Sequence, residues 1–314
     1  VSSEWLWKPE RGSVILVRLL TWLTLRAGRP ATRWLLYPIC LYFIVFSRGT
    51  RRVSRRYLER ALNRPARWPD VFRHYHAFAS TIHDRVYLLS GRHQYFELQI
   101  EGASVLDPFI EARRGCILLG SHLGSFEILR AYGLFEKHLP ISVVMHEGAA
   151  SNLNRVLHGL HPDIRDRIIP PGTPDTMLLV KERLDQGQLV GILADRLLGG
   201  EKAVTCDFLG APTAFPEGPF LLAALLHVPV VLFFGLYQGG RRYLIRFEPF
   251  AETIRTEPGR RSLDLRPWVE RYVERLEHHC RLYPYNWFNF YDLSRDTDRP
   301  VPGVQLGAWA PRHR

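Results

Sequence analysis

One histidine stands in a setting suited to proton transfer. The stretch Gly115-Cys-Ile-Leu-Leu-Gly-Ser-His-Leu-Gly-Ser-Phe-Glu127 places His122 in a tight turn between an apolar run and a helix-like stretch, with Glu127 five residues on. Imidazole titrates near neutrality, and a neighbouring carboxylate fixes its tautomer and stabilises the imidazolium. Such a pair is the minimum apparatus for taking a proton from a hydroxyl nucleophile. Gly120 and Gly124 permit close backbone approach, and free amides where the helix begins would steady an oxyanion. This chemistry needs no metal. The same spacing recurs at His158 with Asp163 and at His161 with Asp166, but in a polar, Pro-containing connection that reads as surface. The competing reading of His122 is a structural histidine satisfied by Glu127.

The elements around this turn read as an α/β body: a mainly parallel central sheet flanked by helices, preceded by an N-terminal membrane-associated helical segment. Short apolar runs at Phe96–Ile100, Cys116–Leu119, Ile141–Met145, Arg167–Ile169, Leu189–Leu193, Val230–Leu236 and Tyr243–Phe247 are candidate strands. Helical periodicity fills 103–114, 125–138, 149–160, 174–186 and 217–227, and a last helix spans Pro267–Leu282. Ligands of open α/β sheets sit beyond the carboxyl ends of the strands, which directs attention to Gly120–Ser125, His146–Asn154 and Ala194–Gly200. The organisation expected is 1–60 membrane-associating, 61–294 catalytic and 295–314 a loosely ordered tail.

Composition narrows the partners. The chain has 314 residues, 46% hydrophobic and 23% charged, so it is not disordered throughout. A net charge of +11 favours an anionic partner: acidic phospholipid, acidic carrier protein or nucleic acid. Cys40, Cys116, Cys206 and Cys280 stand far apart without zinc-ligand spacing, which fits separately packed thiols in a reducing compartment. Residues 14–25 and 34–47 are strongly apolar, yet each is shorter than the roughly 20 residues of a straight span. A hairpin dipping into one leaflet, or one tilted span, fits them better than a signal peptide, with a kink expected at Pro38. Arg48, Arg51, Arg52, Arg55, Arg56 and Arg60 then follow at helical spacing, a face for lipid phosphates on the cytoplasmic side. A buried helix pair with a solvated basic face is the alternative. These arginines flank apolar segments instead of interleaving with base-stacking aromatics, which disfavours nucleic acid.

From about Tyr95 to Asp292 the chain resembles the lysophospholipid acyltransferase superfamily, in its bacterial lipid A acyltransferase branch. The resemblance rests on His-x4-Glu in a strand–turn–helix context, with Gly124 at the motif's usual glycine. It implies that His122 is the general base on an acceptor hydroxyl that attacks an acyl thioester, that Glu127 orients His122, and that no acyl-enzyme forms. It implies acyl carrier protein or coenzyme A thioester as co-substrate, no other cofactor, and the cytoplasmic face of the inner membrane as location. Phe215-Pro-Glu-Gly218 imitates the phosphate-binding block of the glycerolipid branch, but the better counterpart is Gly191-Ile-Leu-Ala-Asp195-Arg196. There Asp195 would order the loop and Arg196 would hold an anion, or form a plain surface salt bridge. Gly124 and Ser125 complete the expected substrate contacts.

Tyr283-Pro-Tyr-Asn-Trp287-Phe-Asn289-Phe-Tyr-Asp292 takes the place of the branch's final tryptophan block, without the basic residues that suit a phosphorylated disaccharide. This variant is similar to acyltransferases of aryl-polyene pigment clusters. Its aromatics serve either as a core-closing cluster or as an interfacial belt. The expectation is therefore an O-acyltransferase whose partners are acyl carrier protein, anionic membrane lipid and a lipid or glycolipid acceptor. Residues 219–236 are a candidate wall of the acyl groove. The rivals are a hydrolase using the same pair on water, and a non-catalytic basic membrane-surface or nucleic-acid-binding protein.

Overall fold

A computed structural model describes residues 14–133, 141–145, 167–172, 174–197 and 200–290. The loop His146–Asn154, the helix expected at 149–160, the His158 and His161 pairs, Tyr291, Asp292 and the tail lie outside the described residues.

The described residues begin with α1 (Val14–Arg33), α2 (Leu36–Phe46), α3 (Arg48–Ala61) and α4 (Trp68–Leu89). Next come β1 (Glu97–Glu101), α5 (Asp107–Glu111), β2 (Cys116–Gly120), α6 (Phe126–Ala131), β3 (Ile141–Val144) and β4 (Ile168–Ile169). Then follow α7 (Pro174–Asp185), β5 (Leu189–Leu193), β6 (Ala203–Asp207), β7 (Pro212–Pro216), α8 (Gly218–Leu226), β8 (Val230–Gly239), β9 (Arg242–Ala251) and α9 (Arg261–Leu282).

Among the described residues, seven strands form one sheet in the order β1-β9-β8-β2-β5-β3-β4, parallel throughout except where β8 meets β9. All five residues of β2 are buried, as expected of a strand covered on both faces. Its alternation divides the core: Ile117 and Leu119 join the layer beneath α8 and α9, whereas Cys116 and Leu118 join the layer that includes Tyr87 and Leu88 of α4. In the register of β2 with β5, Gly120 lies opposite Leu193, so the residues two places beyond each strand end emerge side by side.

Several local expectations change. Pro38 stands in the first turn of α2, where a missing N–H costs nothing; the break falls instead at Gly28 of α1, at φ 80° and ψ 162°. Pro267 is inside α9, which starts at Arg261. The unanticipated β6–β7 hairpin pairs Val204 with Phe215, so Phe215-Pro-Glu-Gly218 closes a strand and opens α8, and Glu217 accepts a hydrogen bond from Ser262 Oγ at 2.9 Å. Residues 219–236 are largely core: Phe220, Ala223 and Ala224 are buried, as is β8 from Val230 to Tyr237.

The N-terminal helices pack on α4. Helix α1 is inverted relative to a helix in water: Thr21, Thr24, Arg29 and Thr32 are buried, while Leu19 and Trp22 are 55% and 56% exposed. Its polar face is satisfied by α4, since Tyr87 Oη donates to the Thr24 carbonyl at 2.6 Å and Arg29 is bidentate on Asp84 at 2.8 and 2.9 Å. Helix α2 exposes Tyr37, Leu41, Tyr42, Phe43, Val45 and Phe46. Among the described residues, no helix is long and apolar enough to cross a membrane.

Candidate active site

His122 and Asp195 each stand two residues past the carboxyl end of a strand, β2 and β5, which are neighbours in the sheet. Equal overhang from a matched register brings the two side chains together. His122 Nδ1 lies 2.8 Å from Asp195 Oδ1, and the His122 backbone N–H donates to Asp195 Oδ2 at 3.0 Å. Oδ2 also accepts from Trp287 Nε1 and Asn289 Nδ2, both at 3.0 Å. Asp195 is fully buried, and these donors satisfy its carboxylate. Burial favours its neutral form, but His122 and Arg196 outweigh that and hold its pKa down to about 2.

An ionised Asp195 accepts a hydrogen bond from His122 Nδ1–H, which leaves the lone pair on Nε2. The His122 side chain is 29% exposed, and Nε2 has no hydrogen-bond partner among the described residues. Burial and the nearby Arg196 guanidinium lower the His122 pKa from its ordinary value, with Asp195 pulling the other way. The ring is therefore neutral at physiological pH, with one nitrogen braced and the other open. That is the state of a general base.

Glu127 is placed differently from the sequence expectation. It is buried in the first turn of α6, where it accepts from Arg85 Nη2 of α4 at 2.9 Å and from Arg130 Nη1 at 3.3 Å. The carboxylate on His122 is Asp195, and Glu127 ties α6 to α4. The turn explains this geometry. Gly124, at φ +82°, and the extended Ser125 reverse the chain before the helix begins, so five residues of separation do not become one hydrogen bond. Gly124 also abuts β8: a Cβ there would stand 1.9 Å from the Gly235 carbonyl oxygen.

The expectation of free turn amides is also revised. The N–H of His122 goes to Asp195, that of Gly124 to the Asn286 carbonyl at 2.7 Å, and that of Ser125 to the Gly235 carbonyl at 2.7 Å. These three amides are committed to holding the turn. Ser125 is buried and its hydroxyl has no partner among the described residues, and Arg196 donates from Nε to Asn289 Oδ1 at 2.6 Å and from Nη2 to the Phe288 carbonyl at 2.9 Å. Arg196 therefore anchors the C-terminal segment beside the His122–Asp195 pair. Trp287 and Phe288 are buried, so the aromatic block closes the core and supplies one indole N–H to the site. A cleft of about 530 Å³ between β6 and α9 is lined by Asp207, Glu270, Glu274 and Glu277, a poor lining for an acyl chain.

The model of the bacterial lipid A biosynthesis acyltransferase family matches residues 73–293. The chain belongs to that family. It is an acyltransferase of the lipid A and lysophospholipid type, acting on lipids. The match begins within α4 and runs beyond Asn289, so it takes in His122, Asp195, Arg196 and Trp287. No curated protein matches the chain.

Proposed function

We propose that this acyltransferase moves a fatty acyl group from an acyl thioester to a hydroxyl of a lipid or glycolipid at a membrane surface, with His122 as general base. The observation that carries this reading is the open Nε2 of an imidazole whose Nδ1 is hydrogen-bonded to buried Asp195. The acceptor hydroxyl gives its proton to Nε2 as its oxygen attacks the thioester carbonyl. Asp195 stabilises the imidazolium, and the positive field of Arg196 favours the developing oxyanion. Collapse expels the thiolate, which takes the proton back from Nε2, so the base is restored without an acyl-enzyme. Glu127 serves this step indirectly, by fixing α6 behind the turn.

Acyl carrier protein is the donor best suited to a chain of net charge +11, because an acidic carrier is drawn to a basic surface. The exposed apolar side chains of α1 and α2 suit the acyl region of one leaflet, and the exposed Arg52, Arg55 and Arg56 of α3 suit anionic headgroups. Neutral Asn289, in place of a basic residue after Trp287, favours an acceptor other than a phosphorylated disaccharide, such as a pigment or glycolipid hydroxyl. Total lipids and pigments of cells making the native protein, compared with those making His122→Ala, test the reading. An acylated species present only with the native protein is expected, and its mass gives acceptor and chain length. Free fatty acid in its place would mark a hydrolase, and identical profiles with active native protein would overturn the general-base role.

A further inference from the structure

The segment that brings Trp287 and Asn289 to Asp195 is held from behind by a histidine that the acyl-transfer step does not touch. Leu123 and Trp287 face each other across an antiparallel bridge. On either side of it the Gly124 N–H donates to the Asn286 carbonyl at 2.7 Å, and the Phe288 N–H donates to the His122 carbonyl at 2.9 Å. Those flanking bonds turn the Trp287 carbonyl to the opposite side. There it lies 2.8 Å from His74 Nε2 of α4.

A carbonyl only accepts, so Nε2 carries the proton, and Nδ1 accepts a hydrogen bond from the Ser54 hydroxyl, whose Oγ is 2.8 Å away. His74 is fully buried and stacks on Phe290 with ring centroids 4.7 Å apart. Burial lowers its pKa to about 4 despite the opposing Trp287 bond, so it is a fixed neutral tautomer. The Trp287 indole is clamped between Tyr57 and Phe208, each with its ring centroid 5.0 Å away, and its N–H points to Asp195. Ser54 and Tyr57 belong to the buried face of α3, the helix whose outer face carries Arg52, Arg55 and Arg56.

We propose that His74 is a positioning residue for the acyl-transfer centre: Nε2–H fixes the Trp287 carbonyl, the fixed backbone holds the indole on Asp195, and Asp195 holds His122. Ser54 holds the ring of that tautomer in place by donating to Nδ1, so the arginine-bearing helix α3 is linked to the catalytic carboxylate through Ser54, His74 and Trp287. The inference rests on the general-base reading above.

The experiment compares His74→Gln with His74→Asn in the full chain. The terminal amide nitrogen of Gln reaches the place of imidazole Nε2 and keeps the Trp287 bond, whereas Asn reaches the place of Nδ1 and keeps only the Ser54 bond. Each variant loses one buried hydrogen bond, so a purely structural role lowers both melting temperatures alike and separates nothing else. The positioning role predicts that kcat of the Asn variant falls roughly tenfold at unchanged donor KM, while the Gln variant stays within about threefold of native. The indole N–H resonance of Trp287, assigned by its loss in Trp287→Phe, should move in the Asn variant and stay in the Gln variant. That readout needs no turnover, so it tests the positioning even if the native protein transfers no acyl group, a result that would count against the general-base reading instead. Equal kcat in the two variants, or an unmoved indole resonance in His74→Asn, overturns the proposal. Should the Asn variant fail to fold, Ser54→Ala serves in its place, and native kcat with a native indole resonance overturns the proposal there.

Discussion

Replacing Asp195 by Asn separates the two carboxylates that compete for the role of His122's partner. Asp195 is fully buried and 2.8 Å from Nδ1, whereas Glu127 contacts Arg85 and Arg130. An imidazolium and a carboxylate with charge centres about 4 Å apart attract by about 4 kcal/mol at an effective dielectric of ~20. At about 1.36 kcal/mol per decade, removing that attraction in the transition state lowers kcat of Asp195→Asn ~10³-fold. An Asn amide that turns its NH₂ toward Nδ1 also moves the ring proton to Nε2, which removes the base. Turned the other way, the NH₂ instead meets the three donors that now share Oδ2, so that orientation costs the variant about 1–3 kcal/mol of stability. Glu127→Gln should behave in the opposite way. It leaves the half-buried Arg85 and the buried Arg130 without their shared anion, costing about 3 kcal/mol of stability, yet kcat per folded molecule falls less than about tenfold. The assay is single-turnover transfer from a labelled acyl thioester, with thermal melts to correct for the folded fraction. Near-native kcat in folded Asp195→Asn, together with a ~10³-fold loss in folded Glu127→Gln, would refute the reasoning.

Three further outcomes are expected. His122 must be neutral to act, and burial and Arg196 lower its pKa, so the acid limb of kcat/KM lies below the ordinary imidazole range; Arg196→Gln should move that limb to higher pH, and an unmoved or lowered limb would contradict the electrostatic account. Gly124→Ala places a Cβ 1.9 Å from the Gly235 carbonyl oxygen at φ +82°, so the turn must shift; activity should be lost and the melting temperature should fall, and a native-like variant would contradict the close packing of turn and β8. Replacing Arg52, Arg55 and Arg56 together by Ala should weaken binding to anionic vesicles ~100-fold, at about 1 kcal/mol per arginine, and leave binding to neutral vesicles unchanged; equal losses on both, measured by co-sedimentation, would remove the headgroup role.

The strands that matter most were legible because burial on both faces writes itself as continuous apolar runs: Leu189–Leu193 has the expected bounds, and Cys116–Leu119 gains only Gly120. His122 was legible for a related reason, since a polar turn with two glycines between a buried strand and a helix is a local pattern. Its partner was not. Asp195 lies 73 residues away, with β3 and β4 between, and only the strand order and the Gly120–Leu193 register place the two residues at one height. Sequence spacing favoured Glu127 because it is near in the chain, but the backbone conformation at Gly124 and Ser125 decides where it points. The inverted face of α1 was hidden too, because Thr24, Arg29 and Thr32 look like interruptions until Tyr87, Asp84 and His83 of α4 are seen to receive that helix.

The most direct test of the central claim follows one labelled acyl group from carrier-protein thioester to lipid on the purified protein across pH. One acyl-lipid for each thiol released is expected, with no label on the protein at any time and no acid limb in the residual activity of His122→Ala. Label trapped on the protein, or undiminished transfer by His122→Ala, would contradict that claim.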